Sequence, residues 1–144
     1  MQPSPDAIKA TLAQRGARAT PKRIRVMTLL LEQSPISAYE LVDVYQDQYG
    51  ERLQPTSAYR LLDALVSVGM VHKVSSINRY MACCHALEDE VHGATQLLVC
   101  TRCNKVQEVP STAVLELHET ASAHGFQCDL QPAPELLGQC ESCS

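Results

Sequence analysis

In the first half of the chain apolar positions recur at helical spacing, and each run is opened by residues suited to a helix N-terminus. Ser4-Pro5-Asp6 reads as an N-cap followed by proline at the first helical position, and predicts a helix through IKATLAQR that Gly16 ends. Thr20-Pro21 repeats the signal before KRIRVMTLLLEQ, where Ile24, Met27, Leu30 and Leu31 form an apolar stripe. Ser37 caps AYELVDVYQDQY, with Glu40 as the acidic member of a capping box. Pro55 and Thr56 open a fourth helix, TSAYRLLDALVSVG, striped by Leu61, Leu62, Leu65 and Val68 and stopped by Gly69. The period then shortens. MVHKVSS and RYMACC alternate about INR, which predicts a β-hairpin.

Further on, TQLLVC and KVQEVP predict strands, TAVLELHETASAHG a helix and FQCDLQP a third strand. The fold class expected is α+β. Helices followed by a two-stranded hairpin make a winged helix, placed here over residues 1–84, with a hinge over 85–94 and a small α/β domain over 95–144. In a winged helix the helix before the wing enters the major groove and its N-terminal residues reach base edges. Thr56, Ser57, Tyr59 and Arg60 are therefore candidate DNA contacts, and Arg23, among the basic residues that begin the second helix, joins them. An arginine can pair bidentately with guanine, a tyrosine can pack on a thymine methyl, and small hydroxyls suit phosphates.

Charge supports that division. Residues 1–74 hold nine Lys/Arg against seven Asp/Glu, whereas residues 75–144 hold three against nine, within a chain of net charge −4. A basic half joined to an acidic one fits a nucleic-acid-binding module attached to something that avoids phosphate. With no Trp and one Phe among 144 residues, any core is aliphatic and thin, so a metal staple gains value. The start, MQPSPDAIKA, is polar and no apolar run reaches about 20 residues, which predicts a cytoplasmic protein without a membrane partner. In that reducing compartment seven cysteines, an odd count, argue for metal ligation or redox sensing over a disulfide framework.

Cys100-Thr-Arg-Cys103 and Cys140-Glu-Ser-Cys143 are two CxxC pairs separated by 36 residues. Together they complete a closed tetrahedral set of four thiolates suited to a structural Zn²⁺, whose binding energy becomes folding energy. A thioredoxin-like redox pair is the competing reading, but neither pair precedes a convincing helix of a βαβ unit. Cys128, in the last predicted strand, is expected to be a buried apolar side chain. No Ser–His–Asp set or phosphate loop is present, and a closed thiolate site leaves no position for water, so neither an enzyme nor a small-molecule substrate is expected.

RATPKRIRVM, ISAYELVD, QPTSAYRLLDALVSVGMVHKV and the CTRC…CESC pairs together resemble the ferric uptake regulator family of metal-responsive repressors, particularly its zinc uptake regulator branch. The resemblance implies a homodimer that binds palindromic operator DNA when metal is bound, with the α/β domain as the dimerisation domain. It also implies a second, regulatory zinc held by His72, Cys83, His92 and Glu108, giving one structural and one regulatory Zn²⁺ per chain. Cys84 and His85 adjoin Cys83, and the linker is longer than is usual in the branch, which leaves Cys84 as an alternative to Cys83 and His85 to His92.

Departures bear on the metal. Iron-sensing relatives tend to carry a His-rich cluster where this chain has VHGATQLLVC, and a further histidine where it has Gln131. Iron and manganese want more oxygen donors, so zinc is favoured. Iron, manganese, nickel or peroxide sensing stays open as an alternative. So do a thiol redox switch built on Cys83 or Cys84 and the CxxC pairs, and a zinc-ribbon interaction protein without sequence-specific DNA binding.

Overall fold

The computed structural model describes residues 4–88, 94–129 and 132–144. Its chain divides into two compact units, Met1–Glu90 and Val91–Ser144. The first contains α1 (Pro5–Gln14), α2 (Pro21–Gln33), α3 (Ala38–Tyr49) and α4 (Pro55–Ser67), then β1 (Val71–Val74) and β2 (Arg79–Ala82). Ser4, Thr20 and Ser37 cap the first three helices, each side chain accepting a bond from the backbone N–H of Ala7, Arg23 or Glu40. Each bond satisfies one of the amides a helix start leaves open, worth about 1 kcal/mol. The Glu40 carboxylate pairs with Arg79 on β2 at 3.1 Å, so the capping box gives up one limb for a tie from α3 to the hairpin. Gly69, at φ +74°, turns the chain from α4 into β1, a left-handed conformation that a side chain would strain.

The core of this unit gathers Ile8 and Leu12 from α1, Val26, Met27, Leu29 and Leu30 from α2, Leu41 and Tyr45 from α3, and Ala58, Leu62 and Leu65 from α4. The predicted stripe on α2 is too narrow. Val26 and Leu29 are buried, while Ile24 and Leu31 are half-buried against the cluster. The reason is position: α2 packs on α1, α3, α4 and β2, and a helix with neighbours on several sides buries a wider arc than a single stripe.

In the hairpin β1 and β2 pair antiparallel, from Val71 opposite Ala82 to Val74 opposite Arg79. A 3₁₀ turn over Ser75–Ile77 joins them, with Asn78 at φ 50°, so the loop begins earlier than INR and Cys83 falls just beyond β2. Asn tolerates the left-handed region because its short side chain can bond locally. Ile36 bridges Tyr80 through two backbone bonds of 2.9 and 2.8 Å and anchors the base of the hairpin to the segment before α3.

The second unit contains β3 (Thr95–Cys100), β4 (Val106–Pro110), α5 (Thr112–Ala123) and β5 (Glu135–Gly138). Its sheet has the order β4-β3-β5, with β3 antiparallel to β4 and parallel to β5. The strand expected over FQCDLQP is absent from Phe126–Asp129, and the third strand is Glu135–Gly138 instead. The four residues Glu135–Gly138 are too few to display a period, and this strand is held by distant partners: Leu97 N–H on Pro134 O at 2.9 Å and Thr101 N–H on Gly138 O at 2.8 Å. Cys128 is consequently off the sheet and exposed, contrary to the burial expected of it. Leu97, Val99, Cys100 and Val114 are buried, whereas Leu115, Leu117, Phe126, Leu136 and Leu137 are exposed. Among the described residues no helix is long and apolar enough to cross a membrane.

Candidate metal centres and nucleic-acid interface

Because β3 and β5 run parallel with Cys100 opposite Gly138, the turns that follow them leave the sheet at the same end. One turn carries Cys100 and Cys103, the other Cys140 and Cys143. Each is closed on its first cysteine: Asn104 N–H donates to Cys100 O and Cys143 N–H to Cys140 O, both at 3.0 Å. The four sulfurs lie within 4.8 Å of one another, with Cys103 and Cys140 at 3.6 Å. Four thiolates at about 2.3 Å from a tetrahedral Zn²⁺ stand roughly 3.8 Å apart, so the turns already hold the donors near that spacing.

The electrostatics at Cys100, Cys103 and Cys143 agree with a cation between the sulfurs. Backbone hydrogen bonds at Cys140 and Cys103 draw the Cys100 thiol down to about 6. The neighbouring sulfurs of Cys140 and Cys103 push Cys143 up to about 12. At Cys103 the Lys105 amide favours the thiolate, but the Cys100 and Cys140 sulfurs outweigh it and the pKa is raised. One negative charge is welcome and further ones repel. A divalent ion removes that repulsion, and the all-sulfur donor set suits zinc.

His72 and Cys83 are brought together within the first unit. His72 stands opposite Met81, and Cys83 lies two residues further along, which puts both side chains on one face of the hairpin. Each is only 2% exposed. A ring nitrogen of His72 and the Cys83 sulfur lie within 4.8 Å. Cys83 is fixed by its N–H on Met70 O at 2.9 Å. An imidazole and a thiol buried side by side offer two donors of the types Zn²⁺ takes. In the second unit Glu108 sits half-buried on β4, opposite Leu97. His92 and Gln131 lie outside the described residues. Of the alternatives, Cys84 is exposed, and the His85 ring meets the Glu88 carboxylate at 2.7 Å while its backbone N–H donates to the Cys83 sulfur at 3.4 Å.

On α4, Thr56 and Arg60 are exposed, Ser57 is half-buried, and Tyr59 is half-buried against the core. Gln54 caps α4 without a side-chain hydrogen bond, which leaves first-turn amides open to an anion. The Arg23 guanidinium donates to Arg18 O at 2.9 Å. Arg25 pairs with Glu51 at 3.0 Å and lies 4.8 Å from the Tyr49 ring centroid, so its charge is used inside the unit. Lys22 and Arg18, exposed beside them, are cations the sequence did not single out for DNA. Nothing local could have sorted these residues, since Glu51 lies 26 positions from Arg25.

Comparison with known proteins joins these features. Residues 14–130 match the Ferric uptake regulator family. The zinc uptake regulation protein of Escherichia coli K12 is 36% identical over 133 residues, covering 91% of this chain and 75% of that protein. The zinc uptake regulation protein of Mycobacterium tuberculosis H37Rv is 31% identical over 133 residues, covering 89% and 95%. A solved structure of a zinc uptake regulator complexed with zinc and DNA superposes with a TM-score of 0.80 at 33% identity, covering 96% of this chain and 91% of that one.

Proposed function

The chain belongs to the ferric uptake regulator family of metal-responsive transcription regulators, which are not enzymes, and from that membership we propose that it is a zinc-responsive repressor. In this reading it acts in the cytoplasm, binding palindromic operator DNA as a homodimer when a regulatory zinc site is filled, and controls zinc uptake genes. The observation that carries the proposal is the likeness, along most of the chain, to zinc uptake regulation proteins.

Two zinc ions per chain have distinct work. Cys100, Cys103, Cys140 and Cys143 hold the structural one. His72 and Cys83, with His92 and Glu108, hold the regulatory one, a mixed set of nitrogen, sulfur and oxygen donors suited to Zn²⁺. Since the regulatory ligands are drawn from residues 72–83 and from residues 92–108, a metal held by all of them joins the winged helix, 1–84, to the dimerisation domain, 95–144. Joining them fixes the two recognition helices of a dimer about one DNA turn apart, roughly 34 Å. Without the metal only the fraction of molecules already so arranged binds tightly. Thr56, Ser57, Tyr59 and Arg60 read the groove, with Arg23 near the backbone. Exposed Leu115, Leu117, Phe126, Leu136 and Leu137 supply apolar surface of the kind a second copy covers.

The test is metal content per chain before and after dialysis against a moderate chelator, with DNA binding measured on both samples. Two zinc falling to one, with DNA binding lost and restored by zinc, is the expected result. A constant single zinc with unchanged binding overturns the regulatory site.

A further inference from the structure

One side chain outside the ligand set and the groove-reading residues connects the two. Arg15 follows α1 as its C-cap, and its guanidinium forks: Nη1 donates to Val68 O at 3.0 Å and Nη2 to Glu88 O at 3.3 Å. Val68 is the C-cap of α4, where a helix leaves carbonyls unpaired and carries partial negative charge, so a cation is doubly suited there. Glu88 ends a turn that begins at Cys83. Ala86 N–H donates to Cys83 O at 3.0 Å and Glu88 N–H to His85 O at 3.1 Å. The His85 ring meets the Glu88 carboxylate at 2.7 Å, and the His85 N–H donates to the Cys83 sulfur. The segment from Cys83 to Glu88 is thus braced internally at both ends.

We infer that Arg15 is a positioning residue that clamps the turn bearing Cys83 to the C-terminal end of α4, so that ligation at Cys83 acts on the orientation of the recognition helix. The inference rests on Cys83 being a regulatory zinc ligand. The planar guanidinium is what the arrangement needs, because two carbonyls from different segments are reached at once by two fixed donors. A lysine offers a compact charge with rotatable donors on a flexible stem, without the fixed fork that spans two separate carbonyls.

The experiment uses the full chain and a DNA duplex selected from a random pool by the zinc-loaded wild-type protein. Arg15→Gln and Arg15→Lys are compared with wild type for zinc per chain and for the ratio of DNA affinities between zinc-loaded and chelator-treated samples. Both variants should keep two zinc per chain while Arg15→Gln lowers that ratio by roughly 3- to 30-fold and Arg15→Lys by less. In a Cys83→Ser background, where the ratio is already lost, Arg15→Gln should change nothing further. A full ratio in Arg15→Lys and Arg15→Gln overturns the clamp, as does an equal loss of affinity from Arg15→Gln with and without Cys83, which marks a merely structural role. Should Arg15→Gln fail to fold, Arg15→Lys decides by the same ratio. If Cys83→Ser alone keeps the full ratio, the regulatory ligand set is wrong and the clamp falls with it, an outcome separable from a failure at Arg15.

Discussion

Three of the four clustered cysteines are displaced from the ordinary thiol range before any metal arrives, one downward and two upward. Cys100 titrates near 6 while Cys143 is held near 12 and Cys103 is raised, so at neutral pH the metal-free cluster has Cys100 largely ionised and Cys103 and Cys143 protonated. Zinc ligation requires all of them as thiolates. Zinc binding at neutral pH should therefore release at least the protons of Cys103 and Cys143, seen as a dependence of the calorimetric heat on the buffer's ionisation enthalpy; a buffer-independent heat would argue against a four-thiolate site. Cys103→Ser leaves three thiolates in a closed site. It should lose one zinc per chain and abolish the dimer in light scattering, and a dimeric variant without that zinc would contradict the structural assignment. His72→Ala and Cys83→Ser should instead leave folded dimers whose DNA affinity no longer rises with zinc, and an unchanged rise in both would mean that the sensor lies elsewhere.

At the level of elements, what could be read from the sequence was what depends on neighbours along the chain. Ser4, Thr20 and Ser37 announce their helices because a capping side chain acts on an amide three residues away. The CxxC spacing announces a metal because two ligands share one turn. The ends of β5 and the exposure of Cys128 were hidden, since a four-residue parallel strand is defined by a partner almost forty positions back rather than by its own alternation. Arg25 and Arg15 were hidden for the same reason: their partners Glu51, Val68 and Glu88 are remote. The charge asymmetry located a basic half without saying which cations remain free for DNA. Among the cations on α4 and α2, the candidate Arg60 is exposed, and Lys22, which was not a candidate, stands at the surface where α2 begins. Arg60→Ala should cost about 1–3 kcal/mol of binding and relax selectivity at one base position, whereas Lys22→Ala should weaken all sequences alike and reduce the salt slope by about 1. Affinities measured on matched and mutated duplexes over a range of salt separate the two; equal behaviour would remove Arg60 from the reading helix.

For the molecule as a whole, the two units differ in how far each satisfies itself. The winged-helix unit closes a core of aliphatic side chains with Tyr45 and Tyr80 enclosed, while among the described residues the second unit buries far fewer and leaves Leu115, Leu117, Phe126, Leu136 and Leu137 exposed. A chelator strong enough to strip both zinc ions should accordingly lower the melting temperature of the second unit well before that of the first, visible as two separated transitions by calorimetry; a single transition unaffected by metal would mean that the cysteine cluster contributes nothing to folding. The parallel pairing of β3 with β5, which sets the two CxxC turns side by side, has a consequence in time rather than in space. A newly made chain has to carry its last strand back across α5 before that pairing can form, and closure of so long a segment is slow without a cross-link. On the proposal that zinc is the clasp, protein synthesised during starvation should linger half-assembled and open to proteases, and the abundance of the regulator, not merely its occupancy, should then follow how much zinc was at hand when each molecule was born.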